Sequence, residues 1–363
     1  MNMVAAFAGF AIACSVAFTL HVFFFSPISP DALHLPSPSS IPSNKELQNV
    51  RRVGEEGVIE GPEDLFVDKG GVVHTIGRDG WIRRMQIHVD GCWERWKQIH
   101  SSSALGITPS NHATAGVLIA DAQLGLVKVT EAGSTVLASH RVDGSEIRFA
   151  DEVVESGDGS VYISVPSTKF GYHNWYLDVL EAKPNGQILK YDPLTGRTTV
   201  LLDHLCFPNG VVLPKEEDCL IFCETWKFRC QKYWLTGARK GTTEIFVDNL
   251  PGGPDNIHLA PDGSFWIGLI QVVSPGHEFV HTSKLLKHLV ASTPRLLGLV
   301  SRAPTTKARV VKVGADGRII KMLEDPDGKL MSFVTTAFEF EGHLYLGSLA
   351  NNFLGKLALN VTK

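Results

Sequence analysis

Oxygen-bearing side chains recur at matching places along this chain. Glu63 stands in Gly61-Pro62-Glu63-Asp64-Leu65-Phe66-Val67 and Asp151 in Phe149-Ala150-Asp151-Glu152-Val153-Val154. Asn209 stands in Phe207-Pro208-Asn209-Gly210-Val211-Val212, and Asp255 with Asn256 in Gly253-Pro254-Asp255-Asn256-Ile257. Each precedes a short apolar run. Brought to one point, the carboxylates of Glu63, Asp151 and Asp255 would repel one another unless a cation sat between them. Hard oxygen donors with no His or Cys beside them favour Ca²⁺ over zinc or copper. Asn256, backbone carbonyls and water can raise the coordination to the about 6–8 ligands that calcium takes. A single Asx before a strand is ordinarily a turn residue bonded to its own backbone, so the argument rests on the repetition.

Convergence of that kind needs elements related by rotation, and the chain carries a repeat of the right sort. A turn, a small or polar residue and a strand of alternating bulky residues ending in a small one recur in copies beginning at Gly70, Ala115, Asp158, Glu217, Asp262 and Glu341. The fullest copy runs from Gly252 to Gly268: a polar head at Asp255 and Asn256, then two short strands joined by a Pro-Asp-Gly turn, with Gly263 supplying the turn's backbone freedom. Runs such as Trp81–Gln86 and Gln187–Asp192 follow as half-buried third strands. Regular copies lie about 45 residues apart, the length of a four-stranded propeller blade. The reading is an all-β fold, a six-bladed β-propeller over residues 51–363, with the polar residues in front of the inner strands meeting at one end of the channel.

Two gaps exceed a blade. Phe170 to Pro184 has a short helical pattern in Trp175, Leu177, Val179 and Leu180. The longer insert, Gln271 to Thr306, contains an amphipathic stretch from Ser283, basic on its polar side, that Pro294 should end or kink. Surface decoration and a lid over the channel mouth are both open readings of these helical insertions, and contact with a membrane surface is a further one for the basic insert.

No charged residue occurs between Met3 and Phe25. That run can cross a bilayer, for which about 20 apolar residues suffice, whereas the core of a signal peptide is about 7–15. Residues 1–25 therefore read as an N-terminal apolar helix, a signal anchor or signal peptide. Its length favours an uncleaved anchor, and an Ala-Cys-Ser stretch leaves cleavage open. Residues 26–50 read as a Pro/Ser-rich linker. Entry to the secretory pathway makes disulfides possible. Cys223 and Cys230 bracket a hairpin turn at Lys227 and Phe228 and either face each other or remain small buried thiols. Asn360-Val361-Thr362 is a glycosylation sequon at the C-terminal end.

Net charge of −4 argues against a nucleic-acid partner. No Gly-rich phosphate loop, Gly-x-Ser-x-Gly elbow or zinc motif is present. His112, His173 and His258 could lie near the channel mouth, although a lone histidine is more often a hydrogen-bonded surface residue.

The motifs Gly61-Pro62-Glu63-Asp64, Arg78-Asp79-Gly80-Trp81-Ile82, Phe207-Pro208-Asn209-Gly210, Cys223-Glu224-Thr225-Trp226 and Asn249 through Asn256 resemble those of the plant strictosidine synthase-like family, shared with the animal adipocyte plasma membrane-associated proteins. The likeness runs from about Pro62 to Leu359. It implies a six-bladed propeller and a secretory route, to endoplasmic reticulum or vacuole. True strictosidine synthase condenses tryptamine with secologanin using a glutamate whose place here falls at Thr335, which cannot serve as an acid or base near neutral pH. The related paraoxonases and lactone-cleaving propellers hold calcium on residues matching Glu63, Asn209, Asp255 and Asn256. Asp151 stands where they have asparagine, and their histidine pair falls near Leu105 and Ala122.

The resulting expectation is a membrane-anchored or luminal hydrolase of small esters or lactones. Ca²⁺ on Glu63, Asp151, Asn209, Asp255 and Asn256 would polarise a carbonyl, and Asp255 and Thr335 would occupy the catalytic positions. The rivals are an amine–aldehyde condensing enzyme and a propeller that binds a metabolite or partner without catalysis. The expected partners are a small-molecule substrate and, if the apolar helix is uncleaved, a membrane.

Overall fold

The computed structural model describes residues 3–37, 41–54, 57–88, 92–110, 114–273, 277–301 and 307–359. His112 and the Asn360 sequon lie outside them. The chain divides into two compact units, one of which comprises Met1–His34, Asn174–Lys183 and Val273–Pro304, while the remainder forms the other.

The larger unit is the six-bladed propeller, built as six four-stranded antiparallel sheets. The inner strands, in chain order, are Leu65–Val67, Ala104–Ser110, Val153–Glu155, Pro208–Val212, Gly253–Leu259 and Val334–Phe340. The second strands are apolar on both faces because blades stack on each side of them: Leu220, Ile221 and Phe222 are all fully buried. Ile119 of blade two packs with Ile76 and Ile82 of blade one, and Leu344 and Leu346 of blade six pack with Trp266 and Val310 of blade five. Each such side chain contributes about 1.5–3 kcal/mol relative to leaving it exposed.

Blade six is completed from the other end of the chain. Its outermost strand is Arg51–Val53, paired antiparallel to Leu354–Ala358 with Arg51 opposite Lys356 and Val53 opposite Leu354. A three-residue Arg-Arg-Val strand shows no alternation, so it has no local signature in the sequence. In blade four Cys223 faces Cys230 across the pair and the two are joined in a disulfide, Cα to Cα 3.9 Å, which decides between the two readings of these cysteines.

The other unit is helical. It contains α1 (Met3–Phe24), α2 (Trp175–Glu181), α3 (Glu278–Thr282), α4 (Lys284–Ala291) and α5 (Pro294–Ser301). Ser283 caps α4, its Oγ accepting from Leu286 N at 3.4 Å. Pro294 does not end α4 but opens α5, where a missing N–H costs no helical bond.

The first part of the Pro/Ser-rich stretch is fastened within this unit. Asp31 N donates to Glu181 O at 2.9 Å, Leu33 N to His281 O at 3.0 Å and Ser29 N to Glu181 Oε1 at 2.7 Å. Lys287 Nζ donates to Asp31 O at 2.5 Å, and burial lowers its ammonium pKa to about 8. Further along, in the propeller unit, Asn44 Nδ2 donates to Met322 O at 2.8 Å and Leu47 is fully buried.

Candidate functional site

The residues that open the inner strands are aimed by a shared backbone device. Gly61, Phe149, Phe207 and Phe333 have φ of 55°, 57°, 57° and 50°, and each stands two residues before Glu63, Asp151, Asn209 or Thr335. A left-handed conformation at a bulky residue costs about 1–2 kcal/mol, so three phenylalanines in it mark turns held by their surroundings. Around Phe149 and Phe207 those surroundings are aromatic. The Phe149 and Phe207 rings meet edge to face at 5.6 Å, Phe207 lies 4.2 Å from Trp226, and Tyr172 lies 5.7 Å from Phe149.

Close approach of neighbouring blades completes the positioning. A Cβ on Gly210 of blade four would lie 2.5 Å from the backbone oxygen of Asp255 and 2.8 Å from the Cα of Asn256. A Cβ on Gly347 of blade six would lie 2.7 Å from Pro62 O and 3.1 Å from Glu63 O. Only glycine lets these backbones touch.

The expected ligand residues do come together. Glu63, Asp151, Asn209, Asp255 and Asn256 are all buried. Asn256 Nδ2 donates to Glu63 Oε1 at 2.8 Å, and the Asn209 side chain hydrogen-bonds the Asp255 carboxylate. Burial, then the charges of Asp255, Asp151 and Asp64, push the Glu63 carboxyl well above the usual carboxylate range. Asp255 is raised by burial and then by Asp151, and Asp151 reaches about 8 through burial and then Asp64. Thr335 is also buried, and its Oγ1 donates to the backbone oxygen of Glu63 at 2.6 Å. Its hydroxyl braces the Glu63 backbone.

A second set of residues, of which only His258 was picked out from the sequence, joins them. Asp64 Oδ1 accepts from Thr336 Oγ1 at 2.7 Å and lies 2.9 Å from His258 Nε2, while Asp64 Oδ2 accepts from Ile107 N at 3.2 Å. His258 Nε2 is also 2.7 Å from Thr336 Oγ1. Glu152 is buried, its carboxyl raised well above normal by burial and then by Asp64 and Glu63. Three of these residues directly follow a candidate: Asp64 after Glu63, Glu152 after Asp151, Thr336 after Thr335. In a regular strand neighbours point to opposite faces. Asp64 and Glu152 lie just ahead of Leu65–Val67 and Val153–Glu155, where that rule does not apply, and a register shift between Val334 and Thr336 breaks it for Thr336, as shifts between Pro254 and Ile257 and between Pro208 and Val211 do in two other blades. The adjacent polar pairs were the available signal. His173, by contrast, sits 5.3 Å from the Tyr172 ring. Tyr172 feels the site: burial raises its hydroxyl pKa, Arg78 lowers it, and Glu63 and Asp151 raise it further.

Among the described residues no group of three or more His, Cys, Asp or Glu side chains is arranged so that it could hold a metal ion by itself. What fits calcium is the oxygen donor set and its unsatisfied atoms. Glu63 Oε2, Asn209 Oδ1 and Glu152 Oε2 are buried with no hydrogen-bond partner. A buried acceptor left unpaired costs about 1–3 kcal/mol, and a hard cation would satisfy it.

The sequence matches the family profiles described as Strictosidine synthase, over residues 151–238, and Strictosidine synthase-like, N-terminal, over residues 42–85. Strictosidine synthase-like protein 4 of Arabidopsis thaliana is 32% identical over 356 residues, covering 95% of this chain and 93% of the relative. The adipocyte plasma membrane-associated protein of Danio rerio is 31% identical over 360 residues, covering 92% and 85%. Among solved structures, a gluconolactonase from Xanthomonas campestris superposes with a TM-score of 0.57 at 12% identity, covering 92% of this chain and 99% of that one. The calcium-binding protein regucalcin from Agrobacterium tumefaciens gives 0.56 at 14% identity, covering 85% and 93%. These two likenesses are of fold. With its propeller and a relative at 32% identity across nearly its whole length, the chain belongs to the strictosidine synthase-like family.

Proposed function

We propose that this propeller is a calcium-dependent hydrolase of small esters or lactones, working at the end of the channel where the inner strands open. The observation that carries the reading is the buried cluster of Glu63, Asp151 and Asp255, whose carboxyls are raised by burial and then by neighbouring carboxylates, Asp64 among them. Glu63, Asp151, Asn209, Asp255 and Asn256 would hold the calcium, which supplies Lewis-acid polarisation of a carbonyl oxygen when bound. Asp255, ionised once its neighbours' charge is matched, is the carboxylate available to take a proton from water or to attack the carbonyl. The Asn209 hydrogen bond orients it. Asn256 and Thr335 fix Glu63 through its side chain and its backbone. Phe149, Phe207 and Tyr172, packed on one another, would be the apolar surroundings of an acyl or aryl group.

The fold shared with a gluconolactonase and with a calcium-binding protein supports this reading. The condensing reaction of strictosidine synthase lacks support, because residue 335 carries no ionisable group. The apolar α1 and the Cys223–Cys230 bridge support a secretory-pathway location, with endoplasmic reticulum membrane or lumen, or vacuole, as the compartment.

The test is hydrolysis of phenyl acetate and simple lactones by the full-length protein in detergent, with calcium or with EDTA. Turnover that EDTA abolishes, calcium restores and Asp255→Asn removes is the expected result. A calcium-dependent rise in melting temperature with no turnover of any of these substrates would leave a binding propeller in place of a hydrolase.

A further inference from the structure

The helical unit joins an apolar helix to the two insertions, and the joint is specific. Ser292 Oγ, at the end of α4, donates to Val22 O in the last turn of α1 at 3.0 Å. The His288 ring lies 4.8 Å from the Phe23 ring, and His288 Nδ1 lies 2.8 Å from the Ser26 hydroxyl just beyond. Residues 26–34 then stay on α2, α3 and α4 through the bonds of Ser29, Asp31 and Leu33. α1 is thus followed at once by a fastened strap, and α4 is fixed to its C-terminal end.

The rest of α1 is uncovered. Ala5–Phe24 has a mean hydropathy of 2.0 and is 6% buried, so its surface needs a covering as long as a bilayer is thick. If lipid covers it, the last turn lies at the membrane interface and carries α4 there too. At that level the unit exposes large apolar side chains on each helix of the longer insertion, Phe279 on α3, Leu285 on α4 and Leu299 on α5, beside Phe24 and Phe25 at 80% and 71% exposure. Water-facing phenylalanines and leucines at a membrane boundary are the pattern of an interfacial foot.

We infer that α1 is retained as a membrane span and that α3–α5 lie in the interface at its end, with Phe279, Leu285 and Leu299 inserted among the lipids. The occupant of this surface is the bilayer. Charge plays little part in it: among the described residues of the unit Lys183, Lys284, Lys287 and Arg295 are matched by Asp31, Asp178, Glu181 and Glu278. Insertion is therefore apolar and indifferent to lipid charge. It is independent of any reaction in the propeller.

The experiment uses the full chain in phosphatidylcholine nanodiscs, in a Cys14→Ser, Cys92→Ser background that removes the two exposed thiols. A polarity-sensitive fluorophore is placed through Phe279→Cys, Leu285→Cys or Leu299→Cys. A reference label is placed through Leu194→Cys, the apolar propeller residue exposed at 87%. Labels at 279, 285 and 299 are expected to emit to the blue of the reference and to be quenched severalfold more by nitroxide lipid than by an aqueous quencher. Labels that behave like the reference in variants with unchanged melting temperature would overturn the proposal. So would a blue shift that requires anionic lipid, or an intact mass showing α1 removed.

Discussion

At the scale of single residues, the carboxyls of the channel predict how stability follows pH. Glu63, Asp151 and Asp255 each hold a proton more tightly folded than unfolded. Without calcium these groups favour the fold most below the ordinary aspartate value of 3.8, and that contribution is lost as pH rises to about 8 for Asp151. Calcium competes with the same protons, so its stabilisation grows across the window where theirs fades. Thermal unfolding at several pH values, with EDTA or calcium, should show a calcium-induced rise in Tm that is small near pH 5 and large near pH 8, corresponding to about 2.7 kcal/mol when calcium is at one hundred times its Kd. A rise that shrinks with pH would contradict a carboxylate site. Asp255→Asn should act with opposite signs in the two conditions. It removes a repelling charge and raises Tm in EDTA, yet it abolishes the calcium shift. Thr335→Val, which leaves the Glu63 carbonyl without its donor, should cost about 1 kcal/mol and weaken calcium binding, with Thr335→Ser restoring both.

At the scale of elements, the ligand positions depend on how tightly one blade lies against the next. Gly210 ends the Phe-Pro-Asn-Gly turn of blade four directly against the backbone of Asp255 and Asn256. Gly210→Ala forces those strands apart, an overpacking that costs about 1–3 kcal/mol. Because the displaced residues include the Asp255 carboxylate and the Asn256 donor to Glu63, the calcium-dependent Tm shift should be lost as well. Alanine at Gly263, where a Cβ meets nothing within 4 Å, has to adopt a φ of 81° and should lower Tm without touching that shift. Calorimetry with and without calcium separates the two. The same elements explain what could be read in advance. Glu63, Asp151, Asn209 and Asp255 were legible because they recur at one offset from an apolar strand. Asp64, Glu152 and Thr336 were not, because strict strand alternation would send them to the other face: Asp64 and Glu152 lie just ahead of their strands and Thr336 at a register shift, and neither departure leaves a mark in composition.

At the scale of the whole molecule, a propeller must close, and here the closing strand comes from the chain ahead of Gly61, which no repeat covers. Arg51–Val53 pairs with the last strand of blade six, and Arg51 lies only ten residues ahead of Gly61 in the Gly61-Pro62-Glu63 opening of blade one. Val53 packs with Leu354 and Tyr345 of blade six and with Leu65 and Val73 of blade one. The contact that seats Glu63, between its backbone and Gly347, crosses this same seam. Periodicity reveals blades but not the non-local pair that fastens the first to the last, which is why the seam was invisible in sequence while six copies were plain. Val53→Asp places a carboxylate in that apolar seam and should cost about 3 kcal/mol or more in urea unfolding. If the seam also sets the distance from Glu63 to Asp255, calcium affinity should fall together with stability. Val136→Asp, at a position already 47% exposed on the outermost strand of blade two, should change neither. Equal calcium affinity in the Val53 variant and the parent would separate ring closure from the site and leave the inner-strand turns alone to hold it.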